Sequence, residues 1–189
     1  LTIINDILDF SKIEAGRLAL ETIDFDLLTA IEETLDLFAE PTQRKNLELG
    51  YLLHAEVPMA LRGDPGRVRQ VLVNLISNAA DAMRDSRQRV IDIDAVLLPG
   101  GRVSIRVADS GPGFSEEERQ RLFEPFFTTK PAGEGLGLGL AISQDIVREF
   151  GGELYAESAA VSCGESADSG EAGGAVFMID LPGSQKETG

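Results

Sequence analysis

Three amide side chains recur every four residues along Gln70-Val-Leu-Val-Asn74-Leu-Ile-Ser-Asn78. A helix places all three on one face. Val71, Leu72, Leu75 and Ile76 cover much of the remainder. Amides on so apolar a helix are costly if buried without partners. A bound Mg²⁺ would supply one: it takes oxygen ligands in a tight octahedron and, beside phosphates, needs only one or two from protein. Hydrogen bonds that cap neighbouring loops are the other solution, and the residues alone leave both open.

Three further segments carry chemistry of the same kind. Asp109-Ser-Gly111-Pro-Gly113 follows a strand-like run. A carboxylate there can accept from an exocyclic amino group, and glycines let backbone approach a flat ring. The same five residues also make an ordinary turn. Leu122-Phe-Glu-Pro-Phe126-Phe127-Thr128-Thr129-Lys130 offers hydroxyls and one point charge to phosphates, although its aromatics also suit a core. Gly133-Glu-Gly135-Leu136-Gly137-Leu138-Gly139-Leu-Ala141 runs into a helix. Backbone N–H groups at a helix start suit phosphate oxygens, while close helix packing is the plainer use of such glycines. No Gly-Lys-Ser/Thr follows, which excludes a Walker-type phosphate loop, and no strand precedes the glycines, which excludes a Rossmann fingerprint.

These segments need positioning elements, and the hydrophobic pattern supplies them. Helices are predicted over Leu1 to Gly16, Phe25 to Ala39, Val68 to Arg84 and Leu138 to Phe150, with Ile4, Ile7 and Leu8 as the apolar stripe of the first. Asp64 before Pro65 reads as an N-cap, and Ser115 with Glu118 as a capping box. Strands are predicted over Leu47 to Leu53, Val90 to Leu98, Arg102 to Ala108, Glu153 to Glu157 and Ala175 to Leu181, the second and third joined as a hairpin around Pro99-Gly100-Gly101. Residues Ala159 to Gly174 read as a surface loop. The expected class is α+β: a mixed, mostly antiparallel sheet with helices on one face. Residues 1–20 form a separate leading element, 21–183 the main domain and 184–189 a tail.

Bulk properties narrow the classes. The 189 residues carry a formal net charge of −15, with 17 Lys and Arg against 32 Asp and Glu. That balance disfavours nucleic-acid binding. No apolar run is long enough to span a bilayer, so no direct membrane contact is expected. The single Cys163 fits a reducing, cytoplasmic setting, and the single His54 excludes a multi-histidine metal site. The chain opens at Leu1 rather than Met, as a piece of a longer parent would, and whether that parent is anchored in a membrane is left open by these residues.

Taken in order, these segments resemble the catalytic and ATP-binding domain of sensor histidine kinases, within the superfamily shared with gyrase, chaperone and MutL ATPases. Asn74-Leu-Ile-Ser-Asn78-Ala is similar to the N box, Asp109-Ser-Gly-Pro-Gly113 to the G1 box, Phe123-Glu-Pro-Phe126-Phe127 to the F box and Gly135-Leu-Gly137-Leu-Gly139 to the G2 box. The resemblance covers about Asp24 to Pro182, and Leu1 to Leu20 resembles the end of the dimerisation hairpin's second helix. It implies a two-layer α/β sandwich, ATP and Mg²⁺ as cofactors, and a histidine-containing dimerisation domain and a response-regulator receiver domain as partners. It also implies roles. Asn78 would ligate Mg²⁺ and Asn74 would support the metal–phosphate cluster, both as catalytic residues. Asp109 would bind the adenine amino group beside Gly111 and Gly113. Asp81, Phe126, Leu136 and Leu138 would line the nucleotide, Thr129 to Glu134 would form the ATP lid with Lys130 as the cation that reaches phosphate, and Gly135, Gly137 and Gly139 would line the phosphates.

Two departures matter. Hydrolytic members of the superfamily carry a Glu where this sequence has Asn74, and an amide cannot act as general base at neutral pH. Many histidine kinases carry a Lys where this sequence has Asp81, so Arg84 or Lys130 must compensate. His54 has no acid beside it, and the phosphoacceptor belongs to a hairpin helix not contained in the sequence. The expected function is therefore phosphoryl transfer to an external histidine. The alternatives are a catalytically silent nucleotide-binding or docking module and an ATP-hydrolysing clamp.

Overall fold

The computed structural model describes residues 2–40, 42, 46–131, 133–158 and 174–183. Most of the predicted 159–174 loop, Cys163 and the 184–189 tail lie outside them. Seven strands and five helices are described: α1 (Thr2–Glu14), β1 (Ile23–Asp26), α2 (Leu27–Asp36), β2 (Glu48–Leu53), β3 (Ala60–Gly63), α3 (Pro65–Ala82), β4 (Val90–Leu97), β5 (Val103–Asp109), α4 (Glu116–Arg121), α5 (Gly139–Glu149), β6 (Glu153–Ser158) and β7 (Ala175–Leu181).

The main sheet runs β2-β4-β5-β7-β6. β2 lies parallel to β4 and the other three pairings are antiparallel. Ile91, Ile93 and Ala95 on β4 alternate with more exposed residues, and Val103, Ile105 and Val107 on β5 are buried likewise, although Ser104 between the first two is buried as well. That period of two turns one sheet face toward the helices. α3 covers this face with Val68, Val71, Leu72, Leu75, Ile76 and Ala79, all buried. α5 adds Ala141, Ile142, Ile146 and Val147 and packs on α3 and β6. The result is the mixed sheet with helices on one face that the order of elements predicts, and the two-layer sandwich that the resemblance implies.

Caps set the helix starts. Asp64 accepts from the Arg67 N–H at 3.0 Å, with Pro65 beginning α3. Its other oxygen accepts from the Glu21 N–H at 3.2 Å, pinning the chain that leads out of α1. The Ser115–Glu118 capping box forms in both directions.

The predicted helix over Phe25 to Ala39 starts later than expected. Asp26 caps α2 by accepting from the Thr29 N–H at 2.8 Å. Phe25 instead belongs to β1, which pairs antiparallel with β3 in a small second sheet. Both four-residue strands were absent from the sequence reading. α1 docks on the body through Phe10 and Ile13, which pack against the core, while its apolar stripe of Ile4, Ile7 and Leu8 stays exposed.

Candidate nucleotide-binding site

The amide stripe of α3 is divided among three neighbours. Gln70 serves α1, donating to Asp9 at 2.9 Å and accepting from Arg67 at 2.7 Å. Asn74 serves α5, donating to the Gly139 carbonyl at 3.2 Å and to Ser143 Oγ at 3.1 Å. Asn78 alone among the three faces the segment before α5, where its Oδ1 accepts from the Lys130 ammonium at 3.0 Å. Lys130 also pairs with Asp81 at 2.8 Å. So Asn78 and Asp81, three residues apart on α3, hold one cation between an amide oxygen and a carboxylate.

The predicted phosphate glycines lie directly beside this cluster. Gly139 opens α5 with no side-chain cap, which leaves first-turn N–H groups unclaimed by any side chain. A Cβ at Gly139 would rest against the Asn74 amide at 3.6 Å. Gly135 lies against the Lys130 stem, 3.4 Å from where its own Cβ would be. Gly137 has a different duty. It takes φ +68°, and a Cβ there would meet the Phe127 carbonyl oxygen at 2.5 Å and backbone of Phe126 at 2.6 Å. Its carbonyl accepts from the Phe126 N–H at 2.9 Å, and Phe126 itself holds φ +67°. Gly137 is thus demanded by backbone packing on the aromatic segment.

Asp109 ends β5 on the same side. Its Oδ1 accepts from the Gly111 N–H at 2.8 Å and the Ala175 N–H at 3.3 Å, and its other oxygen has no protein donor among the described residues. Burial pushes the carboxyl above the usual carboxylate range, against the opposing pull of those two N–H groups. A Cβ at Gly111 would meet Asp109 Oδ1 at 2.8 Å and Met83 at 3.1 Å. Met83, fully buried just past α3, also accepts from Ser110 Oγ at 3.3 Å. Sequence reasoning missed Met83 and Ser143; Met83 continues the α3 apolar pattern and was legible only as core. Gly113, at φ +68°, completes the turn.

Several expected contacts fall elsewhere. The Leu138 side chain is a core residue, 1% exposed, so only its backbone can reach a ligand. Leu136 is half-buried against the core. The Phe126 ring packs edge-on against Phe10 of α1, with centroids 5.5 Å apart, rather than lining a nucleotide. Arg84, one of the two cations expected to replace the missing helix lysine, pairs with Glu134 at 2.7 Å. Thr129 is exposed. Asn74, expected to be catalytic, spends its amide hydrogens on α5 and is a positioning residue in this geometry. A cleft lined by Phe38, Leu47, Ile76, Ser77 and Asp81 meets this cluster at Asp81, and neither Asp109 nor the glycines line it.

An outward amide oxygen on one helix, a half-buried strand-end carboxylate and an uncapped glycine-led helix are thus brought into one region. The chain belongs to the histidine kinase-, DNA gyrase B- and HSP90-like ATPase family, whose model matches residues 63–185. It is 40% identical over 168 residues to the sensor protein GacS of Pseudomonas syringae pv. syringae, covering 84% of this chain and 18% of that protein. It is 36% identical over 159 residues to the signal transduction histidine-protein kinase BarA of Escherichia coli K12, covering 82% and 17%. The chain therefore spans less than a fifth of these relatives and is homologous to their ATP-binding catalytic domains. Among solved structures, full-length ShkA in complex with AMPPNP superposes with a TM-score of 0.80 at 28% identity, covering 97% of this chain and 35% of ShkA. The catalytic domain of histidine kinase ThkA gives 0.70 at 30% identity, covering 86% and 98%.

Proposed function

We propose that this chain binds Mg²⁺-ATP and presents the γ-phosphate to a histidine on a dimerisation domain outside the sequence, in the cytoplasm. The carrying observation is convergence: Asn78, Asp81 and Lys130 share one cluster, Asn74 ties that helix to Gly139, and Met83 ties it to the Asp109 turn. The residues fit the ligand chemically. An oxygen pair that already holds a cation suits a hard metal ion, with Asn78 Oδ1 as the protein ligand. The unpaired Asp109 oxygen suits an adenine amino group, and the first-turn N–H groups of α5 suit phosphate oxygens.

Bound magnesium would supply charge neutralisation on the phosphates. The chain's own work is positioning. Asn74 fixes α5 against α3, so the phosphate-facing backbone and the metal-facing amide keep one spacing. The same residue offers no general base, so water activation is disfavoured and transfer to an external acceptor favoured. Lys130 would move from Asn78 to phosphate. The exposed Ile4, Ile7 and Leu8 stripe of α1 fits a helix of the dimerisation domain, and a receiver domain would take the phosphoryl group onward.

Asp109→Asn tests the adenine assignment. It keeps both backbone hydrogen bonds but presents an amide in place of the carboxylate. ADP affinity by calorimetry should fall about thirtyfold, the loss expected for a buried charge-assisted hydrogen bond of about 2 kcal/mol. Unchanged affinity would defeat the assignment. Incubation with labelled ATP and a separate histidine-bearing hairpin domain should give acid-labile phosphate on that domain.

A further inference from the structure

Lys130 sits on the oxygen assigned above to the metal. Its ammonium bridges Asn78 Oδ1 at 3.0 Å and Asp81 Oδ2 at 2.8 Å. Both partners of the ion pair are 28% exposed, which makes it less screened than a surface pair. Four residues on, Glu134 of the same segment pairs with Arg84 just past α3. The lid is thus held to α3 at two points of opposite polarity: a lid cation on a helix acid, and a lid acid on a helix-end cation.

We propose that this double latch closes the free site, with the Lys130 ammonium holding the place of the divalent cation, and that cation exchange at Asn78 and Asp81 is what opens it. The proposal rests on the Mg²⁺-ATP reading. A nucleotide arriving without metal meets the Asp81 carboxylate, and can recruit Lys130 to its phosphates only by taking from Asp81 its nearest cation, at 2.8 Å against 3.9 Å for Arg84. One arriving with Mg²⁺ brings two positive charges to the oxygens that Lys130 vacates, and the released ammonium is free for the phosphates. The Asp81 carboxylate therefore makes the site discriminate metal-bound from metal-free nucleotide. Lysine is the residue suited to this exchange, because its ammonium is a compact point charge without the fixed fork of arginine.

The test compares this chain with Asp81→Asn and Lys130→Gln. In the free proteins, hydrogen exchange at the amides of residues 128–130 and 133–137 should speed up about fivefold or more in both variants, with strands β4, β5 and β7 unchanged. Titration with ADP in EDTA should show Asp81→Asn binding about threefold tighter than the parent, while ADP with Mg²⁺ changes less, so the metal preference shrinks. Exchange identical to the parent in both variants would overturn the latch. An equal affinity change with and without Mg²⁺ would overturn the cation exchange. Failure of the parent chain to bind ADP with Mg²⁺ would instead defeat the nucleotide reading, and the exchange measurement on free protein would still judge the latch.

Discussion

The two ends of α3 carry the same three kinds of group arranged in opposite senses. At the start, Arg67 and Gln70 of α3 close on Asp9 of α1. At the end, Asn78 and Asp81 of α3 close on Lys130 of the lid. In the first triad α3 supplies the cation and the amide, and the visiting element brings the acid. In the second, α3 supplies the acid and the amide, and the visitor brings the cation. Undocking α1 would leave a guanidinium in solution, which is tolerable. Lifting the lid leaves a carboxylate beside an amide oxygen, which is a place for another cation. One triad is an attachment and the other an exchange site, and the difference lies only in which partner owns the charge.

The largest expected effect comes from the backbone that joins these regions. Gly137→Ala places a Cβ against the Phe127 carbonyl at a φ that L-residues avoid. We expect a loss of about 3 kcal/mol in urea unfolding. If the fold tolerates alanine there with full stability, the aromatic segment is not locked to the glycine run, and the lid is not anchored as described.

A smaller effect separates the two triads. Arg67→Ala removes the nearer of the two cations on Asp9, Lys12 standing at 4.0 Å, at a site where both partners are mostly buried, 20% and 13% exposed. α1 should loosen by about 2 kcal/mol, read as faster hydrogen exchange in residues 4–14, while nucleotide affinity stays constant. Burial alone would raise the Asp9 carboxyl; the hydrogen bonds from Gln70 and Arg67, with Arg67's charge, outweigh it and hold the group below its ordinary value of 3.8. The folded-state pKa is thus depressed. The stabilisation is complete above 3.8 and fades as pH falls through the lowered value, so α1 should undock in acid. Nucleotide affinity that changes with Arg67→Ala would mean the two ends of α3 are coupled.

Much of this was legible in sequence where the signal is local. The 3.6-residue period gave α3 and α5, Asp64 with Pro65 gave a helix start, and four ordered motifs pointed to one pocket. What escaped was set by partners distant in the chain. Gln70 and Asp9 are 61 residues apart, so nothing near Gln70 shows that its amide belongs to α1 rather than to a metal. The departure at Asp81 was visible, but its pairing with Lys130, 49 residues on, was not. β1 and β3 are four residues each, too short for alternation to announce them. The Ile4, Ile7, Leu8 stripe marks an apolar face correctly, yet amphipathicity cannot say which body covers it.

The finest contrast lies between two carboxylates, Asp9 and Asp109. Asp9 is stabilised in its charged form by partners; Asp109 is buried with only backbone donors, and its pKa is raised above 3.8. The sign is therefore reversed. Ionised Asp109 costs the free protein stability, fully so above its raised folded-state pKa and progressively less as pH falls through it. Asp109→Asn should then unfold about 1 kcal/mol later than the parent near neutral pH, the same substitution that weakens ADP binding. The advantage should shrink toward zero as pH drops below the ordinary carboxylate range. Such a gain in stability with a loss in binding is what separates a ligand-directed carboxylate from a structural one. If Asp109→Asn destabilises the free protein, its Oδ1 contacts to Gly111 and Ala175 outweigh its burial. Asp109 would then belong with Asp9, among the residues that hold the fold together.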